Sequence, residues 1–361
     1  MPITIHNPLS IYIHWPFCLS KCPYCDFNSH VAKTIDHNEW LEMYLQQMRN
    51  YRDSLKRPIK SIFFGGGTPS LMEPFVVREL IDKLAPNSDV EITLEANPTS
   101  IEMQKFKNFK DAGVNRISIG IQALNDKDLK FLGRTHSAAD ALKGLETGVS
   151  IFESVSFDLI YSRPGQTVDE WSKELEQALS YGTKHLSLYQ LTIEENTPFY
   201  QQHKKGYFHL PNDEISTEQY LLTAEKAAEH GLQQYEVSNY AKPGYESQHN
   251  LTYWNYGDYL GIGPGAHSRL TIDGEKWGIE QIKSPAIWLE TLKEQRTKIE
   301  DVVMEKLMMG LRLKKGIAVD FEITQKLQQL INLGLLQLKD GFLSATEDGF
   351  LKLNGILRHI L

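Results

Sequence analysis

The chain has 361 residues, of which 41% are hydrophobic and 23% charged. That composition is ordinary for a globular protein and excludes a disordered chain, a collagen-like repeat and a disulfide scaffold. The net charge of −8 argues against a broad nucleic-acid surface, and the three cysteines, Cys18, Cys22 and Cys25, are an odd and tightly clustered set. Such thiols point to metal binding or redox chemistry rather than to a disulfide framework.

Met1–Asn7 carry no Lys or Arg. No signal or transit peptide is therefore expected, and no run reaches the ~18 apolar residues of a membrane helix. The expected compartment is a reducing, bacterial-type cytoplasm, with peripheral membrane contact left open. Six strand-like runs follow: Ser10–Trp15, Ser61–Phe64, Glu91–Glu95, Arg116–Ile121, Ser154–Ile160 and His185–Leu191. They are near-continuously apolar or alternate with small residues, as strands of a covered parallel sheet do. Amphipathic segments lie between them, at Glu39–Tyr51, Pro74–Leu84, Ile101–Ala112, Ser137–Thr147 and Thr167–Tyr181. Ser137 and Thr167-x-x-Glu170 read as helix starts, and Gly113, Gly148 and Gly182 as helix ends. The rhythm predicts an α/β fold, a partial (βα)6 parallel barrel over residues 1–240.

Beyond the barrel, a helix is expected near Glu214–His230, then a Gly-, Tyr- and Asn-rich stretch from Tyr235 to His267. Residues 241–295 read as a connecting segment. Residues 296–361 read as a small winged-helix-like module: a helix holding Leu307, Met308 and Leu311, a helix over Phe321–Leu333, a hairpin turning at Asp340-Gly341, and a last helix over Gly349–Leu357. Eight Lys/Arg against seven Asp/Glu over 301–361 leave this module near neutrality. It lacks a basic recognition surface, and no nucleic-acid partner is expected. A lid or a partner contact is the expected role.

In a parallel barrel, chemistry sits at the carboxyl ends of the strands. The unusual residues fall there: Cys18-x-x-x-Cys22-x-x-Cys25 after the first strand, Gly65-Gly66-Gly67-Thr68-Pro69 after the second, Glu95-Ala96-Asn97-Pro98 after the third, Gln122 after the fourth and Asp158 near the end of the fifth. Three thiolates on one short loop can hold three irons of a cubane and leave the fourth open. A zinc site completed by His14 or His30 is the alternative. Each strand-end residue also has a plain structural reading. Asp158 could cap the next helix, Arg134 could be a solvated charge, and Tyr24 could be ordinary packing.

The cysteine spacing after a first strand resembles the signature of the radical S-adenosylmethionine (SAM) superfamily, and the triple glycine resembles its loop at the methionyl amine. Tyr12-Ile13-His14-Trp15-Pro16-Phe17, Ser118-x-Gly120-x-Gln122, Leu132-Gly133-Arg134-x-His136 and Asp158-Leu159-Ile160-Tyr161 are similar to the oxygen-independent coproporphyrinogen III oxidase group. The resemblance implies a [4Fe-4S] cluster on Cys18, Cys22 and Cys25. It also implies a SAM site lined by Tyr12, Tyr24, Gly66, Gly67, Thr68, Glu95, Gln122, Arg134 and Asp158.

Two departures separate the chain from the oxidases themselves. Phe27 stands where that group carries a further cysteine, and only eleven residues precede Tyr12. The motif His249-Asn250-x-x-Tyr253-Trp254, expected in a loop, resembles instead the haem-chaperone branch of the group. That branch implies haem as a third ligand, held by His249, with haem-acceptor proteins, respiratory enzymes among them, as partners to a monomer or homodimer. The residues alone leave His249 open as a hydrogen-bonded loop histidine. His267, after the turn-like Gly261–Ala266, is a weaker candidate. Ser162-Arg163, where many relatives have Gly-Leu, adds a cation that could meet a carboxylate, a haem propionate or water.

Overall fold

A computed structural model describes residues 7–85 and 90–361. The leader reading over Met1–Asn7 falls, apart from Asn7, outside the described residues. Six strands form where the sequence places them: β1 (Leu9–Trp15), β2 (Ile59–Gly66), β3 (Glu91–Ala96), β4 (Arg116–Gln122), β5 (Ser154–Tyr161) and β6 (His185–Gln190). They pair side by side, all parallel and in chain order. Among the described residues the sheet does not close. Its twelve strands run from Glu294–Lys298 at one end to Gln233–Gln234 at the other. The architecture is an open, partial barrel of the expected class.

One parallel strand escapes the sequence reading. β7 (Tyr259–Ile262) lies on the free side of β1, pairing Ser10 with Tyr259 through Ile13 with Ile262. Its four residues, Tyr-Leu-Gly-Ile, carry too little periodicity to stand out in a Gly-rich stretch. From β7 the chain meanders antiparallel through His267–Ile272, Glu275–Gln281 and Glu294–Lys298.

β1 explains how the two sheet faces differ. Leu9, Ile11, Ile13 and Trp15 are fully buried against the outer helices, where Trp15 packs edge-on against Trp40. Alternation sends Ser10, Tyr12 and His14 to the other face. That inner face is polar and hydrogen-bonded: the Ser61 hydroxyl donates to Ser10 Oγ at 2.7 Å, and Ser156 Oγ lies 2.6 Å from His185 Nδ1. Buried polar groups persist only when paired in this way.

The outer helices obey their sequence signals. Ser137 and Thr167 each close a capping box, with Asp140 and Glu170. Gly113 and Gly182 end their helices at positive φ. Gly148 does not, because its helix runs on to Ile151. A Cβ there would stand 2.9 Å from Ile119 Cδ1, so this glycine admits the helix onto the sheet. The His249 motif also departs from expectation. It forms a helix, Gln248–Trp254, with Ser247 accepting from Asn250 N at the N-cap.

The C-terminal module has its own core around Leu307, Leu327, Leu343 and Ile356. Helices Val302–Gly310 and Gln325–Asn332 flank the short strand Ile317–Ala318, which joins a three-stranded sheet in which Leu336–Lys339 and Phe342–Ala345 form the wing-like hairpin. The helix expected over Phe321–Leu333 is confined to Gln325–Asn332 by its Thr324 cap. The last helix is broken in two, Glu347–Leu351 and Leu353–Ile360. The module is stitched to the barrel by a Glu236–Leu313 bridge, by Lys314 N donating to Tyr235 O at 3.1 Å, and by the Arg269–Glu305 ion pair at 2.8 Å.

Candidate functional site

A cavity of about 350 Å³ opens at the carboxyl ends of the strands. Eleven of the thirteen residues singled out in the sequence line it: Cys18, Cys22, Tyr24, Cys25, Gly66, Gly67, Thr68, Glu95, Gln122, Arg134 and Asp158. Tyr12 and His249 do not.

The cysteines sit on the loop after β1, all three half-buried with free thiols. The Thr68 hydroxyl donates to Cys18 Sγ at 3.3 Å, and Arg134 Nη1 donates to Cys22 Sγ at 3.4 Å. Burial raises the Cys18 and Cys25 thiols above their ordinary range. Among the described residues, no three Cys, His, Asp or Glu side chains converge on a single-ion site. Three thiols lining one cavity suit a multi-iron cluster, in which each binds a separate iron. His14 is engaged elsewhere, 2.9 Å from Asn28 O through Nε2 and 3.2 Å from the Tyr12 hydroxyl through Nδ1.

The triple glycine is required by the protein's own packing. Gly66 has φ +108°, and a Cβ on it would stand 2.5 Å from the His14 ring. One on Gly67 would stand 2.6 Å from Phe17 O. The loop after β1 is thereby drawn tightly against the end of β2. Gln122 also holds a positive φ, +73°, at the end of β4. A non-glycine residue rarely keeps that conformation, and such strain concentrates at functional sites.

Arg134 is far from solvated. It donates to Gly120 O at 2.9 Å and to Asn97 Oδ1, reaches the Tyr24 hydroxyl at 3.5 Å, and keeps a buried Nε with no partner. Asp158 caps no helix. It accepts from Ser118 Oγ at 3.5 Å, and its charge acts on Glu95 from the other side of β4. Burial, with the Asp158 charge adding to it, pushes Glu95 up to about 8, and burial pushes Asp158 up to about 6. A cationic ligand with hydroxyl or amine donors would relieve both. Asn97 joins the site without having been singled out, linking Arg134 to the Thr68 hydroxyl, to which it donates at 3.2 Å. Its signal was present in Asn97-Pro98, at a strand end.

Tyr12 lies beneath the cavity and connects it to the His249 helix. The His249 ring stacks on Tyr12 at 5.8 Å and on Phe63 at 5.0 Å, with Tyr253 edge-on at 5.9 Å. It is only 6% exposed, its Nδ1 has no partner, and burial lowers its pKa to about 3. The helix is anchored by Gln248 N donating to Glu91 Oε1 at 2.8 Å and by Thr252 Oγ1 lying 2.8 Å from Ser10 Oγ. These surroundings do not fit a haem ligand as they stand. A macrocycle on His249 would need this helix to withdraw from the barrel. His267 is exposed and lies 3.6 Å from Glu280.

The Radical SAM superfamily profile matches residues 12–178, the span that carries all three cysteines and Asp158. The chain is 38% identical to "Heme chaperone HemW" of Escherichia coli, covering 98% of both chains. The chain belongs to the HemW family of the radical SAM superfamily. HemW relatives include that of Bacillus subtilis, 38% identical over 86% of this chain and 84% of its own. "Radical S-adenosyl methionine domain-containing protein 1, mitochondrial" of Danio rerio is 36% identical, over 98% of this chain and 86% of its own. Among solved structures, coproporphyrinogen III oxidase (HemN) of Escherichia coli superposes with a TM-score of 0.79, covering 98% of this chain and 90% of its own at 22% identity. It shares the fold. A HemW-family chain thus carries the radical SAM arrangement of thiols and glycines at one mouth, while its His249 motif is folded into the barrel below.

Proposed function

We propose that this chain is a haem chaperone that carries a [4Fe-4S] cluster and SAM and delivers haem to acceptor proteins. The observation that carries the reading is the identity to the Escherichia coli haem chaperone along the whole chain, cysteine loop and C-terminal module included. Phe27, 60% exposed at the rim of the cavity, supports it by standing where the oxidase group has a further cysteine.

In this reading Cys18, Cys22 and Cys25 would hold the cluster, and SAM would bind beside it in the same cavity. Arg134 pairs with the methionyl carboxylate, since a guanidinium fork matches a carboxylate. Tyr24 packs on the adenine, and Glu95 and Asp158 accept from ribose hydroxyls or the amine. Gly66, Gly67, Thr68 and Gln122 form the cradle, with Tyr12 beneath it. When bound, the cluster and SAM would together supply one-electron chemistry. Haem is cargo and is treated as a substrate. No described helix is long and apolar enough to cross a membrane, in keeping with a proposed cytoplasmic site of action.

The test is anaerobic cluster reconstitution, followed on one sample by haem titration and by incubation with coproporphyrinogen III under reducing conditions. A shifted Soret band with no decarboxylated product is expected. Efficient product formation would overturn the reading in favour of an oxidase.

A further inference from the structure

The end of β4 carries one residue in excess. Ile119 pairs with Phe157 of β5 and Gln122 pairs with Leu159, so three steps on β4 answer two on β5. Such a bulge is rare between parallel strands, and it re-aims the side chains around it. It ends at Gln122, whose φ of +73° few residues other than glycine keep.

One short loop grips this bulge through two consecutive carbonyls. Arg134 Nη2 donates to Gly120 O at 2.9 Å, and His136 Nε2 lies 3.0 Å from Ile121 O. A carbonyl only accepts, so His136 carries its proton on Nε2. The ring is 6% exposed, and among the described residues its Nδ1 meets no partner. A buried acceptor left bare is destabilising, and the contact that keeps His136 there is the one to the bulge. Arg134 lines the strand-end cavity, whereas His136 stands behind the lining.

What the grip holds is a convergence of polar groups. A Cβ built on Gly120 would stand 3.0 Å from Gln122 Nε2 and 3.5 Å from both Arg134 Nη2 and Asn97 Oδ1. The Gly120 backbone is not left-handed, so it is this space that requires glycine. Gln122, Arg134 and Asn97 meet over its missing side chain, in the wall of the cavity.

We infer that His136 is a positioning residue of this site: by holding Ile121 O beside the Arg134 grip on Gly120 O, it keeps Gln122 left-handed and its amide at the Gly120 wall. A strained backbone persists only where its surroundings over-determine it, and two side chains on consecutive carbonyls do so. The inference rests on the reading of the cavity as a SAM site and adds to it a residue that acts only through Gln122.

The test is a double-mutant cycle on the full-length, cluster-reconstituted chain. SAM affinity is read from the EPR spectrum of the reduced cluster, and iron and sulfide content reports cluster loading. His136→Leu is expected to weaken SAM binding by roughly tenfold, the scale on which a group supporting a ligand-bearing residue acts. His136→Gln, which keeps a donor near the Nε2 position, is expected to recover most of that loss. Gly120→Ala crowds the Gln122 amide directly and is expected to weaken SAM binding with His136 intact. Glycine holds a positive φ without help. In a Gln122→Gly background, where the strain and the amide are both gone, His136→Leu is therefore expected to cause no further loss. An equal loss in both backgrounds would overturn the proposal, as would unchanged SAM affinity in His136→Leu. Should His136→Leu fail to take up iron, His136→Asn, whose amide is too short to reach Ile121 O, carries the same expectations. Cluster loss in every His136 variant would overturn the proposal by assigning the histidine to the fold. A wild-type spectrum that SAM leaves unchanged would instead overturn the SAM reading of the cavity.

Discussion

Arg134 Nη1 lies 3.4 Å from Cys22 Sγ, although the two residues are 112 positions apart. One guanidinium therefore touches the thiol loop while its other branch is fixed by Gly120 O and Asn97. Lysine cannot reproduce that fork. Arg134→Lys is expected to keep its cluster but to lose SAM affinity about ten- to a hundredfold, the worth of one or two charged hydrogen bonds. SAM titration of the reduced cluster by EPR checks this. Unchanged affinity would remove Arg134 from the site.

Each of Cys18, Cys22 and Cys25 is proposed to bind a different iron, so none can be replaced by a neighbour. Single Ala substitutions are each expected to reduce reconstituted iron from about four per chain to a small fraction of that. Zinc analysis of the same samples decides the alternative. Stoichiometric zinc with wild-type protein purified without oxygen would refute the cluster.

Arg163 is 1% exposed and meets carboxylates, the first of the partners its sequence position allowed. It pairs with Glu174 and, at 2.9 Å, with Asp128, and it donates to Ile160 O at 2.8 Å. Removing one member of a buried pair leaves the other charge uncompensated. Arg163→Ala is expected to destabilise the chain by about 3–5 kcal/mol, whereas Arg163→Ala/Glu174→Ala should recover part of that loss. Urea denaturation of the three chains measures it. Equal stability of wild type and single variant would show the pair to be idle.

Glu236 is buried on the barrel side of the Leu313 bridge, where it accepts from Asn239. Burial pushes it from 4.5 up to about 7, alongside Glu95 at about 8 and Asp158 at about 6. Between the unfolded values and these, the folded chain binds more protons than the unfolded one. Stability is therefore fully present at the acid side of the window and falls as pH rises from about 5 to 8. Glu236→Gln is expected to flatten that fall by on the order of 1–3 kcal/mol. Denaturation of the ligand-free chain at pH 5, 6.5 and 8 tests it; an identical slope in the variant would disprove the assignment.

The barrel strands and most helices were legible because their signals are local. β1 and the Thr167 capping box are written in consecutive residues, and so is the cluster-type spacing of the cysteines. The missing pieces depend on distant partners. β7 is a strand because β1 offers it an edge, not because Tyr259–Ile262 is strongly patterned. The His249 segment is helical and buried because Glu91 receives its N-terminus and Tyr12 and Phe63 enclose its ring. Asn97 reaches the site only once β3 and β4 are neighbours. Arg163 had a readable charge but an unreadable address, since Asp128 and Glu174 flank it only in the folded chain.

The position of β1 between β2 and β7 sets an order on the making of this protein. Strand β1, synthesised well before its partner β7, keeps one hydrogen-bonding edge bare until residues 259–262 arrive. A bare edge on an apolar strand invites pairing with another chain. A nascent chain stalled anywhere short of β7 is exposed to aggregation along Leu9–Trp15, and the edge is closed only by the long-range pairing of residues 259–262 with β1.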